Sequence, residues 1–170
     1  MTPDEIRHFI VDHNVKVIPK RESRLMRFIA WFCAVRWFWL FQINPHFMDR
    51  YTTTIGKTIY YRESWEPFSL TDDAAVRRHR ITFMHEFRHV LQYEKWRVLY
   101  QISYVLLPLP FLLAWYRFYW ERDPYLHVNI KHGRSVDDCV EALWKYGWPW
   151  PRSSMRKWFT KEARKAGYIT

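Results

Sequence analysis

The chain reads as a single, mainly helical domain of the α+β kind, with a small β-hairpin set among its helices. Three observations lead there. Only 4 of its 170 residues are glycine, too few for the repeated tight turns of an all-β chain. Apolar residues recur three and four apart over long stretches, the spacing that lines one face of a helix. The clearest β signal is confined to two neighbouring runs, 51–55 and 58–61. Hydrophobic residues make up 49%, enough for a real core, so residues 1–170 are expected to form one compact domain.

Thr2-Pro3-Asp4-Glu5 is a helix start: Thr2 caps, Pro3 suits the first helical position and Glu5 completes a capping box. Ile6, Phe9 and Ile10 then line one face. Residues 15–18 alternate like a short strand before Pro19. Over 22–41 a second helix carries Leu25, Met26, Ile29, Phe32, Trp37, Phe38 and Trp39, interrupted by Arg24, Arg27 and Arg36. It is amphipathic, suited to core packing or to lying on a membrane surface, and is no clean span. Asn44-Pro45-His46 ends it. The two β runs meet at Gly56-Lys57 as a hairpin, and the strand nearest the next helix either offers an edge to an extended peptide or serves only to cover that helix. Trp65-Glu66-Pro67 turns the chain. Thr71, followed by Asp72 and Asp73, caps a long helix with negative charge at its start.

Residues 98–116 contain no charged residue and match the length of a membrane span. Pro108 and Pro110 break the stretch, so it reads as a buried helical hairpin: one arm out, a turn at the prolines, one arm back over 111–120. Ser135 caps a further amphipathic helix, Trp148-Pro149-Trp150-Pro151 forms a rigid turn, and a basic helix over 153–166 closes the chain.

The net charge of +10 suits an anionic partner or membrane surface. It is spread along the chain, and no nucleic-acid motif accompanies it. Cys33 and Cys139 form no CxxC pair and fit a reducing compartment. The first residues lack the basic and apolar regions of a secretory signal, so the expected location is cytoplasmic, with peripheral membrane association left open.

The chemistry centres on His85-Glu86-x-x-His89, inside the long helix. Residues four apart stand on one helical face, so the two imidazoles can grip one ion while Glu86 stands beside it. Zinc favours this ligand set, and the glutamate can carry a proton for the water that zinc activates. Ile81, Met84, Phe87 and Leu91 form the apolar stripe that buries the helix.

Two histidines leave a catalytic zinc one protein ligand short. Glu121, Asp123, His127, His132 and Glu141 lie downstream as candidates. If residues 98–116 crossed a bilayer, His89 and Glu121 would lie about 30 Å apart and could not share an ion. A shared site and a simple span therefore exclude each other.

His85-Glu86-x-x-His89 followed by Glu121-x-x-x-Tyr125 resembles the gluzincin type of zincin metallopeptidase. More closely, residues 52–60, 85–92, 107–110 and 121–125 resemble small uncharacterised zincin-like proteins of bacteria and phages, with weaker echoes over 146–159. The resemblance implies a zincin-like fold and Zn2+ held by His85, His89 and Glu121. It also implies Glu86 as general base and hydrolysis of a peptide or protein substrate. Tyr125 is a candidate oxyanion donor or packing residue. Pro124 departs from the pattern, where such proteins tend to carry Ala. Proline disfavours helical geometry in the residue before it, which keeps Asp123 as a substitute ligand. The other expectation is a non-catalytic, zinc-stabilised structural or membrane-surface protein, of a kind a phage could encode.

Overall fold

The computed structural model describes residues 2–34, 47–50, 52–62, 74–105, 114–145 and 151–170. It is mainly helical with a small three-stranded sheet. The expected tail of the second helix, its Asn44-Pro45-His46 stop, the Thr71 cap, the proline turn and the Trp148 turn lie outside the described residues. The chain packs as two compact units, Met1–Thr82 and Phe83–Thr170.

In the first unit, helix α1 (Pro3–Asp12) begins with the expected capping box: Thr2 Oγ1 accepts from Glu5 N–H, and Glu5 accepts from Thr2 N–H. It ends at Asn14, whose φ of 49° turns the chain. Asn tolerates that left-handed conformation better than most residues. Strand β1 (Lys16–Pro19) follows, and a 3-10 turn (Lys20–Glu22) leads into helix α2 (Arg24–Ala34). Helix α2 starts two residues later than its apolar pattern suggests, because Ser23 Oγ caps it by accepting from Met26 N–H at 3.2 Å. A single helical turn, α3, spans Phe47–Arg50.

Strands β2 (Thr53–Ile55) and β3 (Thr58–Tyr61) form the expected antiparallel hairpin, with Thr54 opposite Ile59 and both buried. Gly56 takes the positive φ (60°) that a tight hairpin turn requires. Strand β1 then pairs parallel to β3, giving the order β1-β3-β2. This corrects one expectation. β3, the strand nearest the long helix in sequence, is central and hydrogen-bonded on both sides, so its edge cannot receive a peptide.

Helix α4 (Ala74–Val105) is broken at Arg97, where φ of 44° and ψ of −119° interrupt the helical path. The part before the break carries His85, Glu86 and His89; the part after it is a separate arm. In the second unit this helix is followed by α5 (Ala114–Pro124), a π-helical segment (Tyr125–Ile130), α6 (Val136–Lys145) and α7 (Arg152–Lys165). Ser135 caps α6 as its sequence implies, accepting from Asp138 N–H at 3.0 Å. Cys139, Val140 and Leu143 of α6 pack with Met155, Phe159 and Ala163 of α7 and with Tyr125, Leu126 and Ile130 in one core. Arg152–Glu141 and Arg156–Asp137 pairs tie the two helices at the surface. Burial pushes the Cys139 thiol up to about 12, so it stays protonated.

The arm after Arg97 differs from the buried hairpin its sequence implies. Tyr100 is buried, but Val98 and Leu99 are 64% and 67% exposed, and Ile102 is 44% exposed. Among the described residues no helix is long and apolar enough to cross a membrane.

Candidate metal centre

His85, His89 and Glu121 come together: each offers one ligand atom, and these atoms lie within 4.8 Å of one another. Helical spacing sets the two imidazoles side by side on one face, edge-on to each other with ring centroids 5.1 Å apart. Helix α5 brings Glu121 back to them. Its Oε2 lies 3.2 Å from His85 Nε2 and 3.4 Å from His89 Nε2. Ligands about 2.05 Å from a tetrahedral zinc are separated by about 3.3 Å, a separation with which these two spacings are compatible. His89 and Glu121 are buried, and His85 is slightly more open.

The outer nitrogens explain why the inner ones converge. Gln92 Nε2 donates to the Trp120 carbonyl at 2.8 Å, which turns Gln92 Oε1 toward His89 Nδ1, 3.0 Å away. A carboxamide oxygen only accepts, so His89 donates from Nδ1. In the neutral ring this leaves the Nε2 lone pair facing the carboxylate. Asn129 Oδ1 makes the corresponding contact to His85 Nδ1 at 2.8 Å. Such outer partners fix ring tautomer and orientation at metal sites.

Pro124 has a part in this arrangement. An α-helix would direct the N–H of residue 124 to the carbonyl of Trp120, but proline has none to give. The Trp120 carbonyl instead accepts from Gln92. The proline does not end the helix: its φ of −58° and ψ of −42° are helical, and the chain continues as a π-helix. The bond from Lys131 N to Leu126 O (3.3 Å) spans the wider five-residue turn. That turn rotates less per residue than an α-helix, which keeps Asn129 near the face that carries Glu121.

Aromatic rings hold the imidazoles in place. Tyr125 meets His85 edge-on with centroids 4.9 Å apart, and Tyr100 stacks on His89 at 6.2 Å. Tyr125 is itself part of the buried core. Glu86 is also buried and lies outside the three-ligand group, close enough to His89 to favour its charged form. Burial alone would lower the His89 pKa, but the Glu121 carboxylate outweighs it and raises the value to about 9. Burial would likewise raise Glu121, yet His89 and His85 hold it well below the usual carboxylate range.

The remaining candidates lie elsewhere. Asp123 is half-exposed, 3.9 Å from Arg88 and 3.8 Å from His127, and does not join the group. His127 contacts the Tyr168 hydroxyl, His132 bonds the Val128 carbonyl, and Glu141 pairs with Arg152. Gln92 and Asn129 were not singled out from the sequence. Gln92 carries a usable signal, standing three residues after His89 on the same helical side. Asn129 carries none, because its placement depends on the π turn. No protein-family model matches this chain, and no curated protein or solved structure matches it.

Proposed function

We propose that this protein is a zinc-dependent peptide hydrolase of the gluzincin type, with His85, His89 and Glu121 as its zinc ligands. One observation carries the reading: two Nε2 atoms and one carboxylate oxygen converge in a buried site while both Nδ1 atoms are engaged by carboxamide oxygens. Facing acceptors of this kind are costly to bury without a cation or proton between them. Two neutral imidazoles and a carboxylate form a ligand set that zinc favours, and three protein ligands are the number a catalytic zinc keeps.

Bound zinc supplies a Lewis acid that acidifies water and polarises a carbonyl. The chain supplies proton handling. Glu86, beside the ligands but not among them, takes the proton from the attacking water and delivers it to the leaving amine. Tyr125 holds the His85 ring and is this reading's candidate donor to the oxyanion.

The test is Glu86→Gln, which keeps the shape and removes the proton acceptor. Zinc content should remain that of wild type while cleavage of a peptide library falls by about 10²–10⁴-fold, the usual worth of acid–base assistance. Loss of zinc from this variant would reassign Glu86 as a ligand. A zinc-loaded wild type that cleaves nothing in the library would favour a non-catalytic zinc site.

A further inference from the structure

We infer that the arm of α4 beyond Arg97 is a lipid-docking face, which seats the second unit on an anionic bilayer without crossing it. Val98, Leu99 and Ile102 stand together on one side of the arm, with Leu99 two-thirds exposed. Clustered exposure of large apolar side chains marks a surface that meets a partner or a membrane.

The arm cannot hide this side by turning over. Its opposite side is fixed: Tyr100 is 1% exposed and packs edge-on against Trp120, with centroids 5.1 Å apart. The Trp120 indole also donates to Ser103 Oγ at 2.9 Å, while Ser103 bonds back to the Leu99 carbonyl. The same contacts join the arm to the helix that carries Glu121.

Charge selects the occupant. Lys95 and Arg97 immediately precede the apolar residues in the chain and are exposed. Trp96, between them, is 42% exposed, with Lys95 Nζ 5.5 Å from its ring centroid. A Trp with flanking cations is the side-chain set found at the headgroup level of membranes. Lys and Arg there attract anionic lipids. The chain as a whole carries +10, and its sequence holds no charge from 98 to 116.

The topology excludes a crossing. Glu121 Oε2 lies 3.4 Å from His89 Nε2, so the chain leaves and returns to the same side of any bilayer it touches. The inference uses the packing of the two arms and does not depend on the hydrolytic reading.

The experiment is co-sedimentation of the full, zinc-loaded chain with phosphatidylcholine vesicles, with and without phosphatidylglycerol. Wild type should pellet with the anionic vesicles and far less with the neutral ones. Leu99→Glu/Ile102→Glu should weaken anionic-vesicle binding by roughly tenfold or more while zinc content and melting temperature stay unchanged, because both side chains are exposed. Lys95→Glu/Arg97→Glu should reduce the preference for anionic over neutral vesicles. Wild type that fails to pellet, or an apolar-face variant that binds like wild type, would overturn the proposal. So would a wild-type dimer that Leu99→Glu dissolves without any vesicle binding, since a second copy would then own the face.

Discussion

The two parts of α4 on either side of Arg97 reverse the usual rule of burial. Before the break, His89 and Glu86 are buried among apolar neighbours. After it, Val98, Leu99 and Ile102 face outward. Burying a polar group costs free energy unless it is partnered, and exposing a Leu forgoes the gain of burying it, about 1.5–3 kcal/mol. Neither arrangement is what stability alone would choose. In the first part each buried imidazole has a partner at both nitrogens, which marks a site. In the second, large apolar side chains face outward, the arrangement on which the lipid-docking proposal rests.

The largest effect expected on this contrast comes from the third ligand. Glu121→Gln removes the charge that closes the site, and zinc binding should fall to background in metal analysis and titration. The arm should keep its place, because Trp120 and Ser103 hold it independently of the carboxylate. A variant that retains full zinc affinity would show that Glu121 is a packing residue.

Next in size are the outer partners. Gln92→Leu leaves all three ligands in place but frees the His89 ring and the Trp120 carbonyl. Zinc affinity should drop by roughly 10–100-fold, the usual cost of losing such a partner. Competition with a chelating dye measures it. Unchanged affinity would mean that ring packing alone orients His89.

The smallest effect is pH dependence in the metal-free protein. His89 is raised from 6.5 to about 9 in the folded state. Its pairing with Glu121 therefore contributes stability that is fully present below pH 6.5 and lost as pH rises through about 9. Glu121 is held below 4.5, so its contribution is present above that value and lost as pH falls. The metal-free melting temperature should thus be favoured by these groups between pH 4.5 and 6.5 and decline toward 9. In the proposed zinc-loaded form the metal would take the place of the His89 proton, so that form should not show the alkaline decline. Parallel melting curves for both forms check this, and identical pH profiles would contradict it.

Much of the framework was legible in the sequence because local chemistry decides it. Thr2 with Glu5, Ser135, and the Gly56 turn each act within a few residues, and each forms as its sequence implies. His85 and His89 were legible for the same reason, since four-residue spacing fixes one face of a helix. Spacing alone leaves Glu121 as one candidate among several, because its approach depends on where a distant helix returns; the family resemblance is what singles it out. Asn129 was not legible, for its position follows from a π turn that no local pattern announces. By sequence alone, Pro124 threatens the helix that carries Glu121. In the folded chain it leaves the Trp120 carbonyl for Gln92 to occupy, a compensation visible only once the two helices stand side by side.

The most direct measurement is zinc uptake by the purified full chain after chelator stripping, followed by titration and elemental analysis against His89→Ala. The expected result is about one zinc per chain in wild type and none retained by the variant, as a three-ligand site requires. Wild type that holds no transition metal and takes up no added zinc would contradict the account.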